Sequence, residues 1–264
     1  MDFAVVKAGV ADVRDQPDHA SERVNQTLFG EALQVGGQEG SFVSVIQYDG
    51  YRGWIDKRLI RPIRIEQFQV LSQPNAIVSV PWTRPRRSGK EPADMPWILY
   101  FGSRLRIGSE SVDGYHMIEW PGEGDLWVRG GHVRPLPTSG GPLLGRHLVM
   151  QARRFLGVPY LWGGITTTGF DCSGLVRTVA ASFGLQLPRD TKDQITVGRP
   201  VDQKTTRSGD LIFFERHVAI AMSDGRFIHA SRAAGGVTIN SLRSESMEYR
   251  SDLADTYGQA RRIV

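Results

Sequence analysis

Three side chains in this sequence have the types and placement for covalent chemistry: one cysteine and two histidines. Cys172 is the only cysteine in 264 residues, which excludes an intramolecular disulfide and any multi-cysteine zinc site. A lone cysteine is ordinarily a small buried hydrophobe. The setting of Cys172 points elsewhere. From Cys172 to Phe183, the residues Leu175, Val176, Val179, Ala180 and Phe183 form one apolar helical face, so the cysteine stands at a helix N-terminus. Unpaired backbone N–H groups and the positive end of the helix dipole favour a thiolate there, and the same N–H groups can receive an oxyanion. Downstream, His217 begins the alternating run His217–Met222, and His229 lies in Arg226–Ser231 after the turn Ser223-Asp224-Gly225-Arg226. A single histidine on a strand is more often structural than catalytic. Two on one hairpin, following a helix-capping cysteine, fit a nucleophile, its base and a residue that orients the base.

The hairpin must have a particular register for this to work. A strict two-residue turn at Asp224-Gly225 would pair Ile220 with His229 and put the histidines on opposite faces. An odd-length turn or a bulge sets His229 opposite Ala219, on the face of His217, and this arrangement is expected. The strand Gly209–Phe214 precedes the hairpin. Farther upstream, the spacing of Leu143, Leu144, Leu148, Val149, Ala152, Phe155 and Leu156 predicts an amphipathic helix stopped by Gly157 and Pro159. The Pro/Gly/Ser cluster from Pro135 to Pro142 reads as a linker.

Before that linker the chain repeats itself. Leu28-Phe29-Gly30-Glu31-Ala32-Leu33 is echoed by Tyr100-Phe101-Gly102-Ser103-Arg104-Leu105, with an offset of 72 residues from Gly30 to Gly102. Gly53-Trp54-Ile55 is answered by Leu126-Trp127-Val128. Short β-rich runs (Phe42–Ile46, Tyr115–Trp120) and the turns Asp49-Gly50 and Asp113-Gly114 mark both copies as small β domains rather than a solenoid. Three domains are therefore expected: 1–65, 66–137 and 138–264.

Composition narrows the class. Hydrophobic residues make up 40% and charged residues 23%, which suits globular domains. The net charge of +4 is carried by scattered residues, weak support for nucleic-acid binding but compatible with a polyanionic wall substrate. No apolar run reaches the ~18–20 residues of a membrane span. The first residues show no basic region followed by an apolar one. With a reactive free thiol, that suits the reducing cytoplasm, or an exported protein whose signal has been removed.

The series Tyr160-Leu161-Trp162-Gly163-Gly164, Phe170-Asp171-Cys172-Ser173-Gly174, Pro188-Arg189-Asp190-Thr191, Gly209-Asp210-Leu211, His217-Val218-Ala219-Ile220 and Ile228-His229-Ala230 resembles the NlpC family of papain-like cell-wall cysteine peptidases. The glycine-glutamate step Gly30-Glu31 and the Gly53-Trp54 strand resemble bacterial SH3-like domains. Together they imply an α+β papain-like catalytic domain preceded by two small all-β SH3-like barrels. By this resemblance Cys172 is the nucleophile, His217 the general base and His229 its orienting partner, with Tyr160 donating to the oxyanion. The architecture is similar to that of γ-D-glutamyl-L-diamino-acid endopeptidases, which act on stem peptides with a free N-terminal L-alanine. That likeness assigns Glu31, Tyr51, Trp162, Asp171, Ser173 and Asp190 to substrate binding, and requires no metal or organic cofactor.

Plainer readings stand beside these. Glu31 also reads as a solvated barrel charge, Tyr51 as a rim aromatic and Asp190 as a helix N-cap. At the level of function the alternatives are an amidase or acyltransferase on the same fold, an enzyme acting on intact peptidoglycan, and a non-catalytic wall-binding protein. His19, His116, His132 and His147 are isolated and receive no role.

Overall fold

The computed structural model describes residues 2–87, 98–122, 124–137 and 145–264. The chain divides into two compact units, Met1–Leu136 and Pro137–Val264. Leu143 and Leu144 of the expected helix, and most of the expected linker, lie outside the described residues.

The first unit is almost entirely β. Its N-terminal half is a seven-stranded antiparallel sheet in which Arg23–Leu28, Val10–Arg14, Arg52–Asp56, Phe42–Ile46, Ala32–Glu39, Asp2–Val6 and Ile60–Ile63 are successive neighbours. Its inward residues, among them Ala4, Val6, Leu33, Val45 and Ile55, form one apolar cluster. The second half repeats the plan with shorter strands in three small sheets. The sequence repeat is a repeat of hydrogen bonds. Gly30 N–H donates to Val6 O and Val6 N–H to Glu31 O (both 3.0 Å), and Gly102 and Val78 do the same with Val78 and Ser103 (3.1 and 2.9 Å). Gly30 and Gly102 hold φ of 85° and 90°, a left-handed conformation that glycine adopts without steric cost. Each copy then ends in a single 3-10 turn, Lys57–Leu59 and Gly130–His132, and a final strand.

The two copies share their cores. Phe29 belongs to the first, yet it is fully buried in a cluster with Val78, Leu99, Leu105, Ile118, Leu126 and Val128 of the second. Its ring stacks on Trp120, with centroids 4.6 Å apart. The helix Ile65–Leu71, which has no clear signal in the sequence, packs back on the first copy through Phe68 against Phe3.

The second unit is α+β. Its six-stranded antiparallel sheet runs Arg199–Val201, Tyr257–Arg262, Leu211–Phe214, His217–Ala221, Arg226–Ser231 and Gly236–Ser241 in spatial order. The helices Gly145–Arg153 and Cys172–Ala181 pack on the two hairpin strands. The first of these stops at Arg153 rather than at Leu156, because the chain leaves through hydrogen-bonded turns toward Gly157, whose φ is 82°. In the strands, Leu211, Phe213, Val218, Ile220 and Ile228 alternate with Ile212, Phe214, Ala219, Ala221 and Phe227, and all are buried. Burial on both faces is what a sheet between two layers requires.

Candidate active site

The hairpin takes the register that catalysis by both histidines needs. A three-residue turn, closed by Met222 N–H donating to Arg226 O (2.8 Å), places Asp224 and Gly225 at φ of 64° and 70°. The strands pair Ile220 with Ile228 and Ala221 with Phe227, and that register carries His229 opposite Ala219. His217 Nε2 and His229 Nδ1 are 2.7 Å apart. Beyond them, His229 Nε2 is 2.9 Å from Oδ1 of Asn240 on the last strand. His229 is 1% exposed, with the Phe227 ring edge-on at 5.0 Å.

Cys172 is the first residue of its helix and is itself buried, 7% exposed. Backbone N–H groups of Val218 and Ser173 donate to its sulfur, which sets the sulfur against the residue after His217. Thr191 Oγ1 lies 3.8 Å from it. Tyr160 is close enough that the charge of Cys172 acts on its hydroxyl.

The electrostatics depart from one expectation. A helix N-terminus favours a thiolate, but here burial, followed by the charge of Asp171, pushes the Cys172 thiol up and outweighs the two N–H bonds that act the other way. Burial also pulls both imidazoles down, His217 to about 3 and His229 to about 4. Burial therefore favours the uncharged form of the thiol and of both imidazoles. Tyr160 is raised by burial and by Cys172 and Asp171, so it stays a hydroxyl able to donate.

Asp171 is committed to the scaffold. Its Oδ1 caps the cysteine helix by accepting from Gly174 N–H (2.6 Å), and its Oδ2 accepts from Gly163 N–H (2.9 Å). Arg189, 3% exposed, grips both oxygens (3.1 and 2.5 Å) and also donates to Ser173 Oγ (2.8 Å). Gln194, fully buried, donates to the carbonyls of Ser173 and Pro188. Arg189, Gln194 and Asn240 were not singled out from sequence. Arg189 belongs to the Pro188-Arg189-Asp190-Thr191 segment, and the only sequence signal for Asn240 is a polar residue alternating with Val237 and Ile239.

The remaining expected residues fall as follows. Asp190 occupies the N-cap position of the short helix Thr191–Gln194, but its carboxylate does not bond the helix amides, and burial raises its pKa. Trp162 is 54% exposed. In the first unit, Gln47 joins Glu31 and Tyr51: its Nε2 donates to Glu31 Oε1 (3.0 Å) and its backbone N–H to Tyr51 O (2.9 Å). Tyr51 also lines a groove of about 530 Å³ with Trp54, Arg52 and Asp15. Among the described residues no cluster of His, Cys, Asp and Glu is placed to hold a metal ion, and no helix is long and apolar enough to cross a membrane.

Known proteins share this organisation. Residues 157–255 match the NlpC/P60 family, and residues 13–58 match the bacterial dipeptidyl-peptidase SH3 domain. A γ-D-glutamyl-L-lysine dipeptidyl-peptidase of Bacillus cereus is 29% identical, over 86% of this chain and 72% of its own. The Bacillus subtilis protein of the same name is 28% identical, over 82% and 75%. The murein DD-endopeptidase MepS of Escherichia coli is 40% identical but covers only 41% of this chain. Among solved structures, an NlpC/P60 family protein from Bacillus cereus superposes with a TM-score of 0.84 over 99% of both chains at 24% identity, a likeness of fold.

Proposed function

We propose that this chain, a cysteine peptidase whose residues 157–255 belong to the NlpC/P60 family, hydrolyses the γ-D-glutamyl–L-diamino acid bond of peptidoglycan stem peptides that carry a free N-terminal L-alanine. The observation that carries this reading is the extent of the likeness to the two dipeptidyl-peptidases. It runs through the SH3 module as well as the peptidase, whereas the MepS match covers less than half the chain. The place of such an activity is the recycling of murein fragments, and the cytoplasm is its expected compartment.

In this reading His217 takes the Cys172 proton and the sulfur attacks the γ-carbonyl of D-glutamate. The oxyanion is received by the Cys172 backbone N–H and the Tyr160 hydroxyl, which burial keeps protonated. The diamino acid leaves with a proton from His217, and water then hydrolyses the thioester with the same residue as base. No step calls on a metal or organic cofactor. A free α-amine is a cation, and in the peptidase unit Ser173 and Asp190 are assigned to it through charge-assisted hydrogen bonds; Glu31 and Tyr51 of the first unit are assigned to substrate by the family resemblance alone. Asp171 contributes its negative potential while its oxygens hold Arg189, and Trp162 offers an exposed aromatic face to the peptide. A glycan-linked or acetylated amine loses the charge that these groups recognise, so rejection of intact wall follows from the same chemistry.

The test is hydrolysis of L-Ala-γ-D-Glu-diaminopimelate and its L-Lys counterpart, each with the amine free and acetylated, with products identified by mass spectrometry. Cleavage after D-glutamate in the free peptides alone is expected, and none with Cys172→Ala. Equal cleavage of free and acetylated peptides would overturn the amine requirement and point to wall remodelling.

A further inference from the structure

We propose that Asn240 is a positioning residue that fixes the order of protons along the two histidines, so that the nitrogen of His217 left for Cys172 carries a lone pair. The inference rests on the reading of His217 as base and deepens it.

Asn240 lies on the strand Gly236–Ser241 beside the strand of His229, opposite Phe227. Its amide has a defined sense. Nδ2 donates to the carbonyl of Glu248 (3.2 Å), which also accepts from Ser241 N–H (2.9 Å). Turned over, the amide would set its oxygen against that carbonyl, acceptor against acceptor, and its nitrogen against His229. With Oδ1 facing His229 Nε2 at 2.9 Å, that nitrogen must carry a hydrogen. A neutral imidazole has only one, so His229 Nδ1 is bare and accepts across the 2.7 Å contact from His217 Nε2–H. His217 Nδ1 is then the basic nitrogen. One amide oxygen thereby sets the positions of both imidazole protons.

Burial opposes protonation of both rings and keeps them neutral at neutral pH. The charges acting on the pair are Arg250, which opposes protonation of both rings, and Asp252, which favours it; these two are ion-paired with each other. The Phe214 and Phe227 rings pack against His217 and His229 respectively. The third group of this site is thus a histidine that needs its own orienting partner, because an imidazole, unlike a carboxylate, can offer either a donor or an acceptor to the base.

The test reads the tautomers directly, by long-range proton–nitrogen NMR of the enzyme labelled with ¹⁵N-histidine. In the native protein both His217 and His229 are expected as Nε2–H. In Asn240→Leu, which fills a similar volume without an acceptor, the Nε2–H preference should be lost. Its kcat should fall about tenfold or more, as when a base is held in the wrong tautomer, with KM within about twofold. Asn240→Asp restores an acceptor. It should keep both tautomers, recover activity relative to Asn240→Leu and move the acidic limb of kcat/KM to higher pH, since a carboxylate there favours a protonated pair. His217 found as Nδ1–H in the native protein, or Asn240→Leu with native tautomers and native kcat, would overturn the proposal. Should Asn240→Leu fail to fold, the native spectrum and the Asn240→Asp profile still decide it. The spectrum needs no substrate, so a failure of the assigned peptide to be cleaved would be told apart from a failure of this inference.

Discussion

At the scale of single residues, the site is a set of neutral groups brought together in a dry place. The thiol of Cys172 is pushed up by burial, and His217 and His229 are pulled down to about 3 and about 4. Alkylation of the free enzyme by iodoacetamide should therefore be slow at pH 6 and climb through pH 9. A rate already high and flat from the acidic side would show a standing thiolate–imidazolium pair instead. The same burial makes a stability prediction. Unfolded histidines take up protons near pH 6.5, whereas the folded ones resist down to about 4 and about 3. Between those limits the unfolded state binds more protons, so stability is full above about pH 6.5 and declines as pH falls through that window. Denaturant midpoints at pH 7 and pH 4.5 check the sign, and an unchanged midpoint would count against neutral burial of the pair. The helix that begins at Cys172 and the hairpin that carries His217 and His229 were legible in the sequence from apolar periodicity and the intervening turn, while the roles of the three residues come from the family resemblance. The raised thiol was not, because it depends on solvent exclusion and on Asp171, which only the packed structure provides.

At the scale of elements, the cysteine helix is pinned at its N-terminus by a buried ion pair. Arg189 and Asp171 are 2% and 9% exposed at their side chains, and the carboxylate also caps the helix. Removing one partner of such a pair strands the other charge, so Arg189→Met should lose about 3–5 kcal/mol in urea unfolding. It should also lower kcat by displacing the helix end, and a variant with native stability would show that Asp171 is held adequately by its backbone donors. The approach of the helix to the preceding loop is close: a Cβ on Gly174 would come within 2.2 Å of the Gly164 carbonyl oxygen. The hairpin register could be argued from sequence because only one parity puts both histidines on one face. Asn240 escaped notice because its strand has no signature apart from alternation, and its partner is a backbone carbonyl in a loop. The helix ending at Arg153 rather than Leu156 is a case where apolar spacing continues after helical hydrogen bonding has stopped.

At the scale of the whole molecule, a duplicated β module precedes a peptidase domain of different architecture, and the duplication was readable from the glycine step and the tryptophan strand. What the sequence did not disclose is that the two modules exchange core residues. Phe29 is fully buried among side chains of the second copy, so Phe29→Ala should cost about 3–5 kcal/mol. Because a residue of the first copy completes the core of the second, the loss should appear as one cooperative transition of both copies. Two separated transitions, with only the first copy destabilised, would contradict a shared core. Whether Cys172 forms an acyl enzyme with the dipeptide on the acyl side of a γ-D-glutamyl bond is decided by acid-quenching the enzyme during turnover of L-Ala-γ-D-Glu-diaminopimelate and weighing the intact chain. A mass increase of one L-Ala-D-Glu acyl group, mapped to Cys172 and absent from Cys172→Ala, is the predicted result. Steady cleavage by Cys172→Ala at the native rate, or an adduct on any other residue, would contradict it.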